Sequence, residues 1–116
     1  MSTRSSRASP LPDFQSCANE GECADQAAVI PRFKGLANVV PDLTWTIQEL
    51  LVSGEDRIVV RGEVTGTPIR PFLGSTPTGR RFRTMSIDLY TVTDSRISRS
   101  YHVENWTAAL RQLASD

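Results

Sequence analysis

Three side chains in the C-terminal third of this 116-residue chain could exchange protons with a substrate. Asp88 is the lone acid in the run Met85–Val92. His102 and Glu104 stand two residues apart, so an extended strand would put them on one face, where they could act as a dyad. A carboxylate in a mostly apolar pocket has its pKa raised toward neutrality. Such a group suits removal of a proton alpha to a carbonyl, with polar neighbours stabilising the enolate. Structural roles compete for the same residues. Asp88 could be a satisfied buried carboxylate bonded to Tyr101 or Arg99, and the His102–Glu104 pair could face solvent or a subunit interface. Asn105 is either a substrate-positioning amide or the N-cap of a helix. Trp45, Phe72, Tyr90, Tyr101 and Trp106 are expected to wall a substrate pocket or fill the core. Arg70, Arg80, Arg81 and Arg83 could bind an anion, but such a cluster also fits a solvated strand end and loop.

Composition removes whole classes of chemistry. His102 is the only histidine, so no Ser-His-Asp set can be argued. Cys17 and Cys23 are the only cysteines, and the usual zinc ligand sets cannot be assembled; no metal and no cofactor are expected. A Cys17–Cys23 disulfide is sterically conceivable, but two free thiols in a reducing cytoplasm are expected. Thirteen basic residues balance thirteen acidic ones, which argues against nucleic acid or an anionic membrane as partner. No apolar run approaches the ~20 residues of a bilayer span. No apolar stretch follows the N-terminal arginines as a secretory signal would require, so a cytoplasmic location is expected.

The elements that must position these groups begin at Ala27. Residues 1–26 are rich in Ser, Pro, Ala and short polar residues and show no helical or strand periodicity, so this segment is expected to be flexible or atypical, with one domain over 27–116. Val29, Ile30, Phe33, Leu36, Ala37 and Val40 repeat near 3.6 residues and predict a short helix over about 30–40, with Pro31 in its first turn and Pro41 stopping it. Four strands follow, over about 43–52, 57–65, 81–92 and 96–105. Residues 66–80, with three glycines and three prolines, form the irregular link in the middle. Trp106 to Leu113 reads as a final helix. The order predicts an α+β protein: a four-stranded antiparallel sheet with helices on one face.

If Asp94-Ser95 is the last hairpin turn, Tyr101 lies opposite Asp88, Arg99 opposite Tyr90 and Asn105 opposite Thr84. Met85, Ile87, Leu89, Ser98, Ser100, His102 and Glu104 then share the other face. A one-residue slip or a bulge would exchange the faces of the last strand.

Four short motifs in order give a resemblance. Pro41-Asp42 precedes the first predicted strand, and Asp56-Arg57-Ile-Val-Val-Arg61 leads to Gly66-Thr67. Pro77-Thr78-Gly79-Arg80 occupies the loop, and Leu110-Arg-Gln-Leu113 ends the chain's last helix. Over about 28–113 the sequence resembles the SnoaL-like polyketide cyclase or ester cyclase family of the nuclear transport factor 2-like superfamily. The resemblance implies a strongly curved sheet wrapped by helices into a cone, and a cyclase or isomerase that uses no cofactor and binds a hydrophobic carbonyl small molecule in that cone. It also adds weight to a homodimer, which a sheet covered by about two short helices already suggests.

This sequence departs from the family pattern in places that matter. Members usually carry two or three helices before the first strand, and residues 1–26 resemble none of them, so the fold reads as N-terminally reduced. Gly66-Thr67-Pro68-Ile69-Arg70 lacks the histidine often found there. Alignment from the C-terminal motif puts Asn105 at the family's general acid/base, with Glu104 beside it, and an amide cannot exchange a proton near neutral pH. Two further readings therefore stand: a binding or dimerisation module that kept the fold without the chemistry, or a truncated reading frame.

Overall fold

The computed structural model describes residues 14–114. Strands β1 (Gln15–Asn19) and β2 (Glu22–Asp25) form a hairpin that leads into helix α1 (Gln26–Val39). Strands β3 (Thr44–Ser53), β4 (Arg57–Gly66), β5 (Phe82–Thr93) and β6 (Arg96–Glu104) follow, and helix α2 (Trp106–Ala114) closes the order. The six strands make one sheet in the order β2-β1-β6-β5-β4-β3, antiparallel except where β1 runs parallel to β6.

The α+β architecture holds, with two strands more than the four expected. Both come from residues 15–25, where no periodicity was legible. Each strand is too short to show an alternating pattern. What stabilises them is pairing: Gln15, Ser16 and Cys17 lie against Arg99, Ser100 and Tyr101 of β6. The free-thiol expectation is corrected as well. Cys17 and Cys23 face each other across the hairpin and are joined by a disulfide. The first helix starts four residues earlier than expected. Asp25 caps it by accepting from the Ala28 N–H at 2.9 Å. Pro31 therefore lies inside the helix rather than in its first turn. The part of residues 1–26 before Phe14 lies outside the described residues.

The core sits at one end of the sheet's inner face. Val40, Val64, Phe72, Phe82, Ala109 and Leu113 form a buried cluster. Phe82 stacks on Phe72 at 5.6 Å between centroids, and Trp106 meets both edge-on. α2 buries Ala109 and Leu113, whereas α1 buries no residue.

The family-like motifs act as staples around this core. The Thr67 N–H donates to Asp42 Oδ1 at 2.7 Å, joining the Pro-Asp and Gly-Thr pairs, and this bond holds the Asp42 carboxyl below its usual pKa. The Thr78 hydroxyl donates to the Leu113 carbonyl. Gln112 bonds both the N–H and the carbonyl of Arg83, which ties α2 to the start of β5.

Candidate active site

The register of β5 against β6 decides which groups meet. Near the turn, Thr93 pairs with Arg96 and Val92 with Ile97, as the expected hairpin requires. A bulge then intervenes, with Thr91 opposite Arg99. Ser98 is the extra residue, and its hydroxyl bonds the Thr91 carbonyl and the Thr93 hydroxyl. Beyond the bulge every pairing moves by one residue. Asp88 lies opposite His102, Ser86 opposite Glu104 and Tyr90 opposite Ser100. The expected pairings of Tyr101 with Asp88, Arg99 with Tyr90 and Asn105 with Thr84 are thereby corrected. The faces exchange as a bulge demands.

The exchange brings Asp88, His102 and Glu104 onto the inner face, in one line. His102 Nδ1 bonds Asp88 Oδ1, and His102 Nε2 bonds Glu104 Oε2. The Asp88 side chain is 3% exposed, His102 34% and Glu104 18%, so Asp88 is the buried end of the line while His102 and Glu104 reach the opening. Asp88 Oδ2 is buried without a hydrogen-bond partner. Burial opposes charge on the imidazole, but the hydrogen bonds and negative charges of Asp88 and Glu104 outweigh it and push the His102 pKa up to about 10. The ring is therefore an imidazolium at neutral pH, donating from both nitrogens. Tyr90, on the same face of β5, is pushed up to about 12 by burial and then by the Asp88 charge, so its phenol stays neutral.

His102 and Glu104 open into a cleft of about 440 Å³ between α1 and the sheet. Phe33, Leu36, Phe72, Leu73 and Trp106 supply most of its apolar wall; Ser16 and Ala18 of β1 and Arg32 of α1 also line it. Of the aromatics expected at a pocket, Phe72 and Trp106 line this cleft. Trp45 instead donates from Nε1 to the Ser86 hydroxyl at 2.9 Å and lies over Gly62, where a Cβ would collide with the indole. Tyr101 is on the outer face under the Arg99 guanidinium, whose Nη1 donates to its hydroxyl. Asn105 uses its side-chain oxygen to accept from the Ala108 N–H, the capping role. The loop arginines are engaged structurally: Arg70 bonds the Asn38 carbonyl, Arg81 the Thr65 hydroxyl and Arg83 the Glu63 carboxylate.

Val29, Phe33 and Leu36 are expected on a helix face, but no residue of β1 or α1 is among the expected site residues. A usable signal was present in α1, where Val29, Arg32, Phe33 and Leu36 follow helical spacing and one arginine interrupts an apolar stripe.

Known proteins share this arrangement of elements. IdmH of Streptomyces antibioticus, a candidate polyketide cyclase, is 25% identical and superposes with a TM-score of 0.81 over 94% of this chain and 84% of its own. TsrD of Streptomyces laurentii is 25% identical, with a TM-score of 0.79 over 93% of this chain and 79% of its own. AclR of Streptomyces galilaeus, a candidate hydroxylase, shares the fold at 24% identity and a TM-score of 0.79, over 91% and 78% of the two chains. No curated protein matches the sequence. Among the described residues no helix is long and apolar enough to cross a membrane. The model of the SnoaL-like polyketide cyclase family matches residues 12–113, and with the curved sheet and its two helices this places the chain in that family, within the nuclear transport factor 2-like superfamily.

Proposed function

We propose that this protein closes or isomerises a hydrophobic carbonyl compound by acid/base chemistry in the cleft, with Glu104 as the proton acceptor. The observation that carries this reading is the Asp88–His102–Glu104 line opening onto an apolar cavity. Glu104 Oε2 is held by the imidazolium, which leaves Oε1 for the substrate. The carboxylate takes a proton alpha to the carbonyl, and the C–H electron pair becomes the enolate. The enolate carbon attacks a second carbonyl of the same molecule, and the resulting alkoxide takes the proton back from Glu104. His102 stays protonated throughout; its positive charge steadies the carboxylate and the nearby enolate. Asp88 fixes the ring from behind as a positioning residue.

One observation favours a second reading, a binding module without chemistry: both nitrogens of His102 are already occupied by carboxylates. The same experiment separates the two. Exchange of the alpha protons of 2-tetralone in deuterated buffer, followed by NMR, is expected to be accelerated by the native protein. Glu104→Gln should lower the catalysed rate about a hundredfold. An unchanged rate in Glu104→Gln, or no acceleration by the native protein, overturns the catalytic reading.

We also propose a homodimer through the outer face of the sheet. Leu51, Met85, Ile87 and Val103 share that face and are each at least 40% exposed, an apolar surface of the kind that marks an interface. Light scattering should give twice the monomer mass for the native chain and the monomer mass for Ile87→Glu. A native monomer at micromolar concentration removes the proposal.

A further inference from the structure

Among the eleven described residues that line the cleft, Arg32 is the one cation apart from His102. It stands on α1 within the stripe Val29, Arg32, Phe33, Leu36, where its neighbours toward the cleft are apolar. His102 has both nitrogens committed to Asp88 and Glu104, whereas Arg32 makes no hydrogen bond or ion pair with a described residue. Among the described residues the cleft therefore has one unused charged donor, beside an apolar wall.

We propose that Arg32 selects a substrate that carries a carboxylate on its apolar body, and that it fixes which way round that substrate lies. This rests on the catalytic reading above only for the identity of the end that reacts. Two carboxylates around one imidazolium leave the sheet side of the cleft net negative. A substrate carboxylate is repelled from that side and attracted to the guanidinium, which offers planar, paired donors matched to two oxygens. The apolar body then spans the wall of Phe33, Leu36, Phe72 and Trp106. The carbonyl to be enolised is left next to Glu104. Arg32 is exposed on the helix while Glu104 is mostly buried in the sheet, so the arginine suits a peripheral group of the ligand rather than the reacting centre.

The test compares 2-naphthoate with methyl 2-naphthoate, which share the apolar body and differ in the charge. Binding is read from amide shift changes in ¹⁵N NMR spectra, which also report whether each variant is folded. The native protein should bind the acid about tenfold more tightly than the ester, as a charge-assisted contact predicts. Raising the ionic strength should narrow that gap. Arg32→Gln should remove the preference while leaving ester binding unchanged, and Arg32→Lys should restore part of it. Equal binding of acid and ester by the native protein overturns the proposal, and so does a preference that survives Arg32→Gln. Binding of neither probe overturns it as well. Glu104→Gln keeps the two readings apart: it should preserve the acid preference while losing alpha-proton exchange. A failed catalytic reading shows as exchange indifferent to Glu104, and leaves the preference intact.

Discussion

The two helices among the described residues lie over the same face of one sheet and are held there by different means. α2 buries Ala109 and Leu113 against Phe72 and Phe82 and is pinned to β5 through Gln112. α1 is longer by five residues and fully buries none of its own. Leu36 and Val39 pack half-buried against the core, the hairpin leads into its start, and Ile69 and Arg70 donate to the carbonyls of Val39 and Asn38 in its last turn. α1 nevertheless contributes a wall of the cleft, and with it the one free cation there among the described residues. The difference teaches a division of labour: the stable end supplies the fold, and the loosely packed end shapes what the fold can bind. Loops and elements around binding sites are commonly drawn from the less stable part of a molecule.

The largest expected effect breaks the stable end. Phe82 is fully buried and touches both other aromatics of the core. Phe82→Ala should cost about 3–5 kcal/mol, a large share of the roughly 5–15 kcal/mol that holds a domain folded. Denaturant unfolding should show a large fall in midpoint across the whole molecule, with α1 and α2 lost together. A loss of under about 1 kcal/mol would mean that the aromatic cluster is not what holds the two ends together.

The next effect should stay at the other end. Reducing the Cys17–Cys23 disulfide frees a short loop, worth about 2 kcal/mol in a chain-entropy account. Hydrogen exchange should quicken in β1, β2 and α1 and stay slow in β5 and α2. Affinity for an apolar cleft ligand should fall, because Ser16 and Ala18 of β1 line the cleft. Uniform acceleration across both helices would dissolve the distinction between the ends. Asp25→Ala sharpens it further by touching α1 alone. Loss of the cap bond to Ala28 should cost about 1 kcal/mol, read as faster exchange in the first turn of α1 only.

The same contrast explains what was legible in the sequence. The stable end was readable because its signals are long and local. Ten- and twelve-residue strands rich in β-branched residues announced themselves, and the four family-like motifs turned out to be the bonds that staple α2 and the loops. The hairpin of residues 15–25 was not readable. Its strands are four and five residues long, and its partner, β6, lies some eighty positions away in the chain. The candidate site was legible in part. Residue type singled out Asp88, His102 and Glu104, but their meeting depends on the bulge at Ser98, and an extra residue in a strand leaves no mark that distinguishes it from a regular hairpin. Asn105 was drawn in by alignment to a family position, while the structure commits its side chain to capping.

The smallest effect concerns the line of groups that joins the two ends. The folded-state pKa of His102 is raised from 6.5 to about 10, so the folded protein holds a proton there that the unfolded chain has released at intermediate pH. The contribution to stability is fully present below about pH 6.5 and fades as pH rises through about 10. The melting temperature should therefore decline across that window, and His102→Gln should flatten the decline. The decline should be modest, because the ring is about a third exposed and water screens its charges. The same pKa predicts the shape of the catalysed exchange: no inflection near 6.5, because the imidazole does not titrate there. A rate that rises through pH 6.5, in a protein whose melting temperature ignores pH up to 10, would mean that His102 is a free base of ordinary pKa. Glu104 would then lose its role as proton acceptor to the imidazole.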